Sequence, residues 1–229
     1  MSEIRFSAVH HRFVDRVILD GIDLTLTERR IGIVGANGSG KSTLVRMING
    51  LVEPTSGTVR VDGHDAGKDG KRVRRLVGFV FTDPDNQIVM PTVAEDVAFS
   101  LRSAKLPKAE VADRVAEVLR RFDLADHADH PTHLLSGGQK QLLALAAVLV
   151  RQPSVLVADE PTTLLDLRNA GMVADLIAGL PQQVLLVTHQ LDLLTDFDRV
   201  LVIDEGTVLA DDRPAAAIAV YQQAMARAQ

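Results

Sequence analysis

Short runs of branched aliphatic residues alternate along this chain with longer stretches of helical spacing. Ile31-Gly32-Ile33-Val34, Val77-Gly78-Phe79-Val80-Phe81, Val155-Leu156-Val157-Ala158 and Val184-Leu185-Leu186-Val187 contain no polar side chain. Apolar runs this short, without alternation, predict strands covered on both faces, as in a parallel sheet flanked by helices. Between them, Val111, Val115, Val118, Leu119 and Phe122 recur at helical spacing and make one apolar face. Leu142 to Val150 is apolar all round and predicts a buried helix. Ser56 to Gly63 is a short β-branched run with a turn signal at each end, and Val200 to Leu209 reads as a hairpin. The segment 87–135 is mostly helical and interrupts the strand series. It reads as a helical insertion in an α/β core built around parallel strands.

Composition adds limits to this picture. The 229 residues are compatible with one large α/β unit, and 46% hydrophobic against 24% charged residues is an ordinary globular balance with material for a sizeable core. Aromatics make up only 3%, so aliphatics and alanine must fill the interior. The absence of cysteine excludes disulfides and thiolate metal sites and points to a reducing cytoplasm. A net charge of −5 argues against nucleic acid as a partner. Met1 to Phe6 lacks the apolar run of a signal peptide, and Leu142 to Val150 is far too short to span a membrane. A soluble protein is expected. If it serves a membrane process, another subunit must supply the membrane part.

The first chemistry-bearing motif is Gly35-Ala36-Asn37-Gly38-Ser39-Gly40-Lys41-Ser42, placed between a predicted strand and the helical pattern from Thr43 to Asn49. That is the strand–loop–helix setting of a P-loop. Its glycines let backbone N–H groups approach phosphate oxygens, and the following helix adds its positive end. Lys41 is placed to reach the β- and γ-phosphates and Ser42 to put its hydroxyl on Mg²⁺. The motif by itself covers kinases, GTPases and ATPases alike. Asp159 and Glu160 close the apolar run at Val155 to Ala158. With a P-loop upstream, Asp159 reads as the holder of Mg²⁺ through water, and Glu160 as the group that polarises the attacking water. Leu135-Ser136-Gly137-Gly138-Gln139 opens the buried helix and is a second glycine-rich helix start, hence a second place for an anion. One nucleotide needs only one such loop. A dimer in which each copy's second loop caps the other's nucleotide accounts for the surplus.

With these motifs in place, the chain resembles the nucleotide-binding subunit of ABC transporters from Phe13 to about Asp211. Leu135 to Gln139 matches the ABC signature letter for letter. The resemblance implies a single ABC ATPase domain over residues 1–229. Its P-loop NTPase core would be RecA-like, with a mostly parallel sheet and an N-terminal antiparallel β region, over 1–86 and 136–229. A helical subdomain would occupy 87–135. It implies ATP and Mg²⁺ as cofactors, and ATP contacts from Asn37, Gly38, Ser39, Gly40, Lys41, Ser42 and Thr43. Phe13 falls where the family stacks an aromatic on adenine and Ile18 where it often has a second apolar contact; a pair of core residues is the alternative. Glu160, Lys41 and His189, the last resembling the switch histidine that senses the γ-phosphate, are the implied catalytic set. Ser136, Gly137, Gly138, Gln139 and Asp166 would act in trans on a second ATPase subunit, with a homodimer the simplest arrangement. Two positions depart from the pattern. Thr82 stands where the family has Gln, which puts direct metal contact there in doubt, and Leu142 stands where the family has Arg.

Thr82-Asp83-Pro84-Asp85-Asn86-Gln87, followed by Pro91-Thr92-Val93-Ala94-Glu95-Asp96-Val97-Ala98-Phe99, is similar to the energy-coupling-factor importers. That resemblance implies a transmembrane coupling subunit and a substrate-capturing membrane subunit as partners. It places the chain peripherally on the cytoplasmic face of the inner membrane, in the uptake of a vitamin or of Co²⁺/Ni²⁺. The Thr82 to Gln87 variant is most similar to ATPases of tripartite biotin transporters. The stretch from Gln87 to Phe99 divides between core packing and a groove for a partner's amphipathic helix. His127, His130 and His133 are spaced like ligands, but Pro131 breaks the helix and no Cys or close Glu completes a set, so a solvated loop is expected. A non-transport ABC ATPase and an ATP-sensing module without turnover are the competing readings.

Overall fold

The computed structural model describes residues 1–227. Its elements follow in the order β1 (Ile4–Phe13), β2 (Arg16–Leu26), β3 (Arg30–Val34), α1 (Lys41–Ile48), β4 (Ser56–Val61), β5 (His64–Asp65), α2 (Gly70–Leu76) and β6 (Val77–Val80). Then come α3 (Val93–Ser100), α4 (Lys108–Arg121), α5 (Gly137–Leu149), β7 (Val155–Asp159), α6 (Leu167–Ala178), β8 (Gln183–Val187), β9 (Arg199–Asp204), β10 (Thr207–Asp212) and α7 (Pro214–Arg227).

The chain forms two compact units. The first comprises Met1–Gly78, Ser154–Glu160 and the chain from Leu180 on. It contains an antiparallel sheet in the order β2-β1-β4-β5 and most of a larger sheet in the order β10-β9-β3-β8-β7-β6. Within the larger sheet β9, β3, β8 and β7 are mutually parallel, and β10 pairs antiparallel with β9 in the hairpin read from the sequence. Every residue of β3, β7 and β8 is buried, which is why their sequences carry no alternation. The parallel arrangement sets the ends of β3, β7 and β8 in register and aims the chain leaving each toward one side of the sheet. Binding sites of parallel α/β sheets form beyond these carboxyl ends.

The second unit comprises Phe79–Pro153 and Pro161–Gly179. It takes in more chain than the 87–135 segment read from the sequence. The reason is α5, whose Leu142 to Ala147 are all buried and which packs against α3, α4 and α6 of the same unit. A helix apolar on all sides needs neighbours on all sides, and these come from α3 and α4 inside the segment and from α6 beyond it. Val115, Val118 and Leu119 of α4 are buried, as their spacing predicts, and Phe122 closes the same face just past the helix. Leu142 belongs to this core at 4% exposure. Among the described residues, no helix is long and apolar enough to cross a membrane.

Candidate functional site

The chain leaves β3 at Val34, turns through the glycine-rich loop and starts α1 at Lys41. Gly40 caps the helix with φ at 105°, and a Cβ there would sit 2.8 Å from the Ile18 carbonyl oxygen. Only glycine meets both conditions, the left-handed backbone and the close approach of β2. Lys41 is buried, and its Nζ donates to the carbonyl oxygens of Gly35 and Ala36 at 2.8 Å each. Burial lowers the pKa of the ammonium, against the pull of Glu160 and Asp159. The cation thus lies curled over the loop. Ser39 Oγ is buried in the same loop without a hydrogen-bond partner among the described residues. A buried hydroxyl without a partner is costly, and a phosphate oxygen in the loop would relieve it.

β7 carries the acidic half of the site. Asp159 is fully buried at the end of the strand, and Ser42 Oγ donates to its Oδ1 at 2.9 Å. Arg46, one turn further along α1, reaches Oδ2 at 3.2 Å. Burial pushes the Asp159 carboxyl upward, and Ser42 and Arg46 restrain the rise. A serine hydroxyl beside a carboxylate is a hard-oxygen pair suited to Mg²⁺. Glu160 follows with φ at 52°, an uncommon conformation for a residue with a side chain. In a regular strand Asp159 and Glu160 would point to opposite faces. The left-handed turn, anchored by the Glu160 N–H to Val187 O bond of 3.0 Å, lets both serve one site. Glu160 Oε1 lies 2.9 Å from His189 Nε2, on the loop leaving β8. Glu160, Lys41, Ser42, Asn37 and Ile18 line one cavity of about 270 Å³, with Gly38, Gly40 and Thr43 also on its wall. Its walls carry the Lys41 cation, the Glu160 carboxylate and the Ser42 hydroxyl, with Asp159 buried behind Ser42.

Two residues of this site escaped the sequence reading. Arg16 lines the cavity two residues before Ile18 on β2, and the period-2 pattern of a strand would have put both on one face. Arg46 carries no motif signal. Ile18 is half-buried on the cavity wall, while Phe13 ends β1 opposite Arg16 at 72% exposure and is not a core residue. Thr82 is half-buried just past β6. The nearby Gln87 is fully engaged: its Oε1 accepts from the Phe81 N–H at 3.3 Å and its Nε2 donates to Ala144 O at 3.1 Å.

In the second unit Ser136 is the N-cap of α5. Its Oγ accepts from the Gln139 N–H at 3.3 Å, and Gln139 Oε1 accepts from the Ser136 N–H at 2.9 Å, a complete capping box. Gly137 and Gly138 form the first turn. A Cβ on Gly138 would lie 2.6 Å from the Asn169 side chain. Asn169 is in turn held by Asp166, the N-cap of α6, through bonds of 2.9 and 2.8 Å. The signature loop and the Thr162 to Asp166 stretch are therefore packed together through one side chain.

Further along the same unit, Val93 and Val97 of α3 are fully buried and Phe99 is 41% exposed. Phe99, Met90, Arg102, Leu106 and Val111 line an open groove of about 400 Å³. Core packing and groove lining thus divide along one helix.

The profile of the family described as ABC transporter matches residues 19–163. A protein of Rhizobium etli named biotin transport ATP-binding protein BioM is 47% identical over 220 residues, covering 96% of this chain and 98% of its own. The cobalt import ATP-binding protein CbiO of Syntrophus aciditrophicus is 42% identical over 220 residues, covering 93% and 79%. Among solved structures, cbiO1 from Clostridium perfringens, described as part of the ABC transporter complex cbiONQ, superposes with a TM-score of 0.83. It is 34% identical and covers 94% of this chain and 90% of its own.

Proposed function

The chain belongs to the ABC transporter family as an ATP-hydrolysing subunit, and from that premise we propose that it powers an energy-coupling-factor importer whose cargo is biotin. The observation that carries the catalytic reading is the convergence of Lys41, Ser42, Asp159 and Glu160 at the ends of β3 and β7. Asn37 to Thr43 hold the phosphates by backbone N–H groups and the start of α1, and Lys41 exchanges its loop carbonyls for phosphate oxygens. Arg16 and Ile18 bound the nucleotide on the β2 side, and Phe13 is the exposed aromatic available to adenine. Ser42 and Asp159 would hold Mg²⁺, which supplies charge neutralisation on the β- and γ-phosphates; Thr82 is given no direct part. Glu160 accepts a proton from the attacking water as its oxygen bonds to the γ-phosphorus and the bond to ADP breaks. His189 orients that carboxylate.

Ser136 to Gln139 and Asp166 complete the site of a second copy, since the α5 helix start is a second place for an anion and one nucleotide needs only the P-loop. The groove around Phe99 suits an apolar helix of the coupling subunit, which fits a peripheral place on the cytoplasmic face of the inner membrane. Biotin is put first because of the 47% identical biotin-transport relative and the Thr82 to Gln87 sequence. Cobalt uptake is the second reading, favoured by the cobalt-import relative at 42%.

Glu160→Gln tests the engine. Turnover should fall by about 10²- to 10⁴-fold, as for loss of a general base, while ATP drives a stable dimer visible by size-exclusion chromatography. Full turnover in the variant would remove Glu160 from its role. Labelled biotin and Co²⁺ uptake in cells carrying or lacking the chain separates the two cargoes.

A further inference from the structure

We infer that His127 is a positioning residue for the signature loop, acting through the side-chain amide of Gln139. The inference rests on the reading of Ser136 as a contact to the partner's nucleotide. It begins from the orientation of that amide. Gln139 Oε1 accepts the Ser136 N–H at 2.9 Å, so its Nε2 is the end turned toward His127, 2.9 Å from the ring's Nε2. An amide nitrogen only donates, so His127 Nε2 is the acceptor and carries no proton. The neutral imidazole then holds its proton on Nδ1, which lies 2.8 Å from His130 Nδ1. His130 must accept there and keep its own proton on Nε2. The two rings meet edge-on with centroids 4.9 Å apart.

One directed chain of donors therefore runs from Gln139 through His127 to His130, and the Ser136 N–H joins it at the amide oxygen. Both nitrogens of His127 are used. Two ring nitrogens facing each other at hydrogen-bond distance are bonded to one another and leave no cleft for a metal between them. Among the described residues, no group of three or more His, Cys, Asp or Glu is arranged to hold one. His130 and His133 are exposed, in keeping with a solvated loop, and within it half-buried His127 has a defined structural task.

That task matters because the capping box depends on one rotamer of Gln139. The amide oxygen holds the Ser136 N–H, and among the described residues His127 holds the other end. The opposite side of the same turn is held by Gly138 against Asn169, leaving Gln139 as the adjustable end. Without the acceptor at His127, the amide can swing away and release Ser136. The side chain offered to the partner's γ-phosphate then loses its preset direction, a cost felt in the transition state more than in binding by the free subunit.

Two measurements test this on the intact protein. Nitrogen-15 NMR of the imidazoles should find His127 protonated on Nδ1 and His130 on Nε2; His127 protonated on Nε2 overturns the relay. In steady-state ATPase assays, His127→Leu should lower kcat by roughly five- to ten-fold, the loss of about one hydrogen bond, with KM for ATP unchanged. His127→Gln, which can return an acceptor near Nε2, should recover most of that loss. Equal loss in both variants makes the ring's bulk the cause and overturns the inference. Ser136→Ala separates the two claims. If it abolishes turnover while His127→Leu does not change it, this inference fails alone; if Ser136→Ala leaves turnover intact, the reading beneath it fails.

Discussion

At the scale of single residues, the site depends on backbone conformations that most side chains resist. Gly40 sits at φ 105° against β2, and Glu160 at φ 52° beyond β7. The first is allowed by the absence of a Cβ. The second is a conformation costing about 1–3 kcal/mol, held in place by the Val187 carbonyl and the His189 ring. Gly40→Ala would press a methyl group onto the Ile18 carbonyl and force the P-loop out of shape. We expect a soluble protein whose affinity for a fluorescent ATP analogue falls by at least about ten-fold, the equivalent of about 1.4 kcal/mol. Unaltered affinity would mean that the loop does not hold the phosphates in this conformation.

Among the elements, β9 adds a charged clamp at its first residue to the buried apolar run Val200 to Ile203. Arg199 donates to both carboxylate oxygens of Asp211 on β10 at 2.6 Å, to the Glu28 carboxylate at 3.0 and 3.1 Å and to Thr25 O of β2 at 2.8 Å. Its hydrogen bonds to Asp211 raise the guanidinium's pKa despite burial. Burial acts to raise Glu28, but the N–H groups of Glu28 and Thr27 together with Arg199 outweigh it and hold the carboxyl below its ordinary 4.5. A carboxylate held low in the folded state contributes stability above its unfolded value and loses it as pH falls through the folded one. Arg199→Met should therefore cost about 2 kcal/mol at neutral pH, between the worth of exposed and buried pairs. Thermal melts should find that difference shrinking below about pH 4.5. A constant penalty across the acid range would assign the loss to packing of the arginine's stem.

For the whole molecule, the proposal joins three surfaces: the P-loop cavity, the signature helix start and the groove around Phe99. Each can be disabled alone. Phe99→Asp places a charge in an apolar groove without touching the buried Val93 and Val97. Its cost to the folded chain should stay within about 1 kcal/mol, as for other surface changes. The variant should keep the ATPase activity of the purified subunit and lose co-purification with the membrane coupling subunit in a pull-down from solubilised membranes. Retained co-purification would move the docking surface elsewhere.

Contiguous residues determined a great deal. The P-loop, the glycine-rich helix start of the signature and the four buried strands were all legible, because turn geometry, helix starts and burial periodicity act over a few neighbouring positions. Ser42, Asp159, Glu160 and His189 were readable as separate strand-end motifs, and the parallel sheet brings those ends together. What the tertiary structure alone decided are contacts between distant side chains. Arg46 on Asp159, Arg199 in its clamp and His127 against Gln139 leave no local pattern. An arginine or histidine looks solvated until packing brings a carboxylate or an amide within 3 Å or so of it. The extent of the helical unit has the same origin. Leu142 to Val150 told of a buried helix, but which helices would bury it was set only when the chain closed around it.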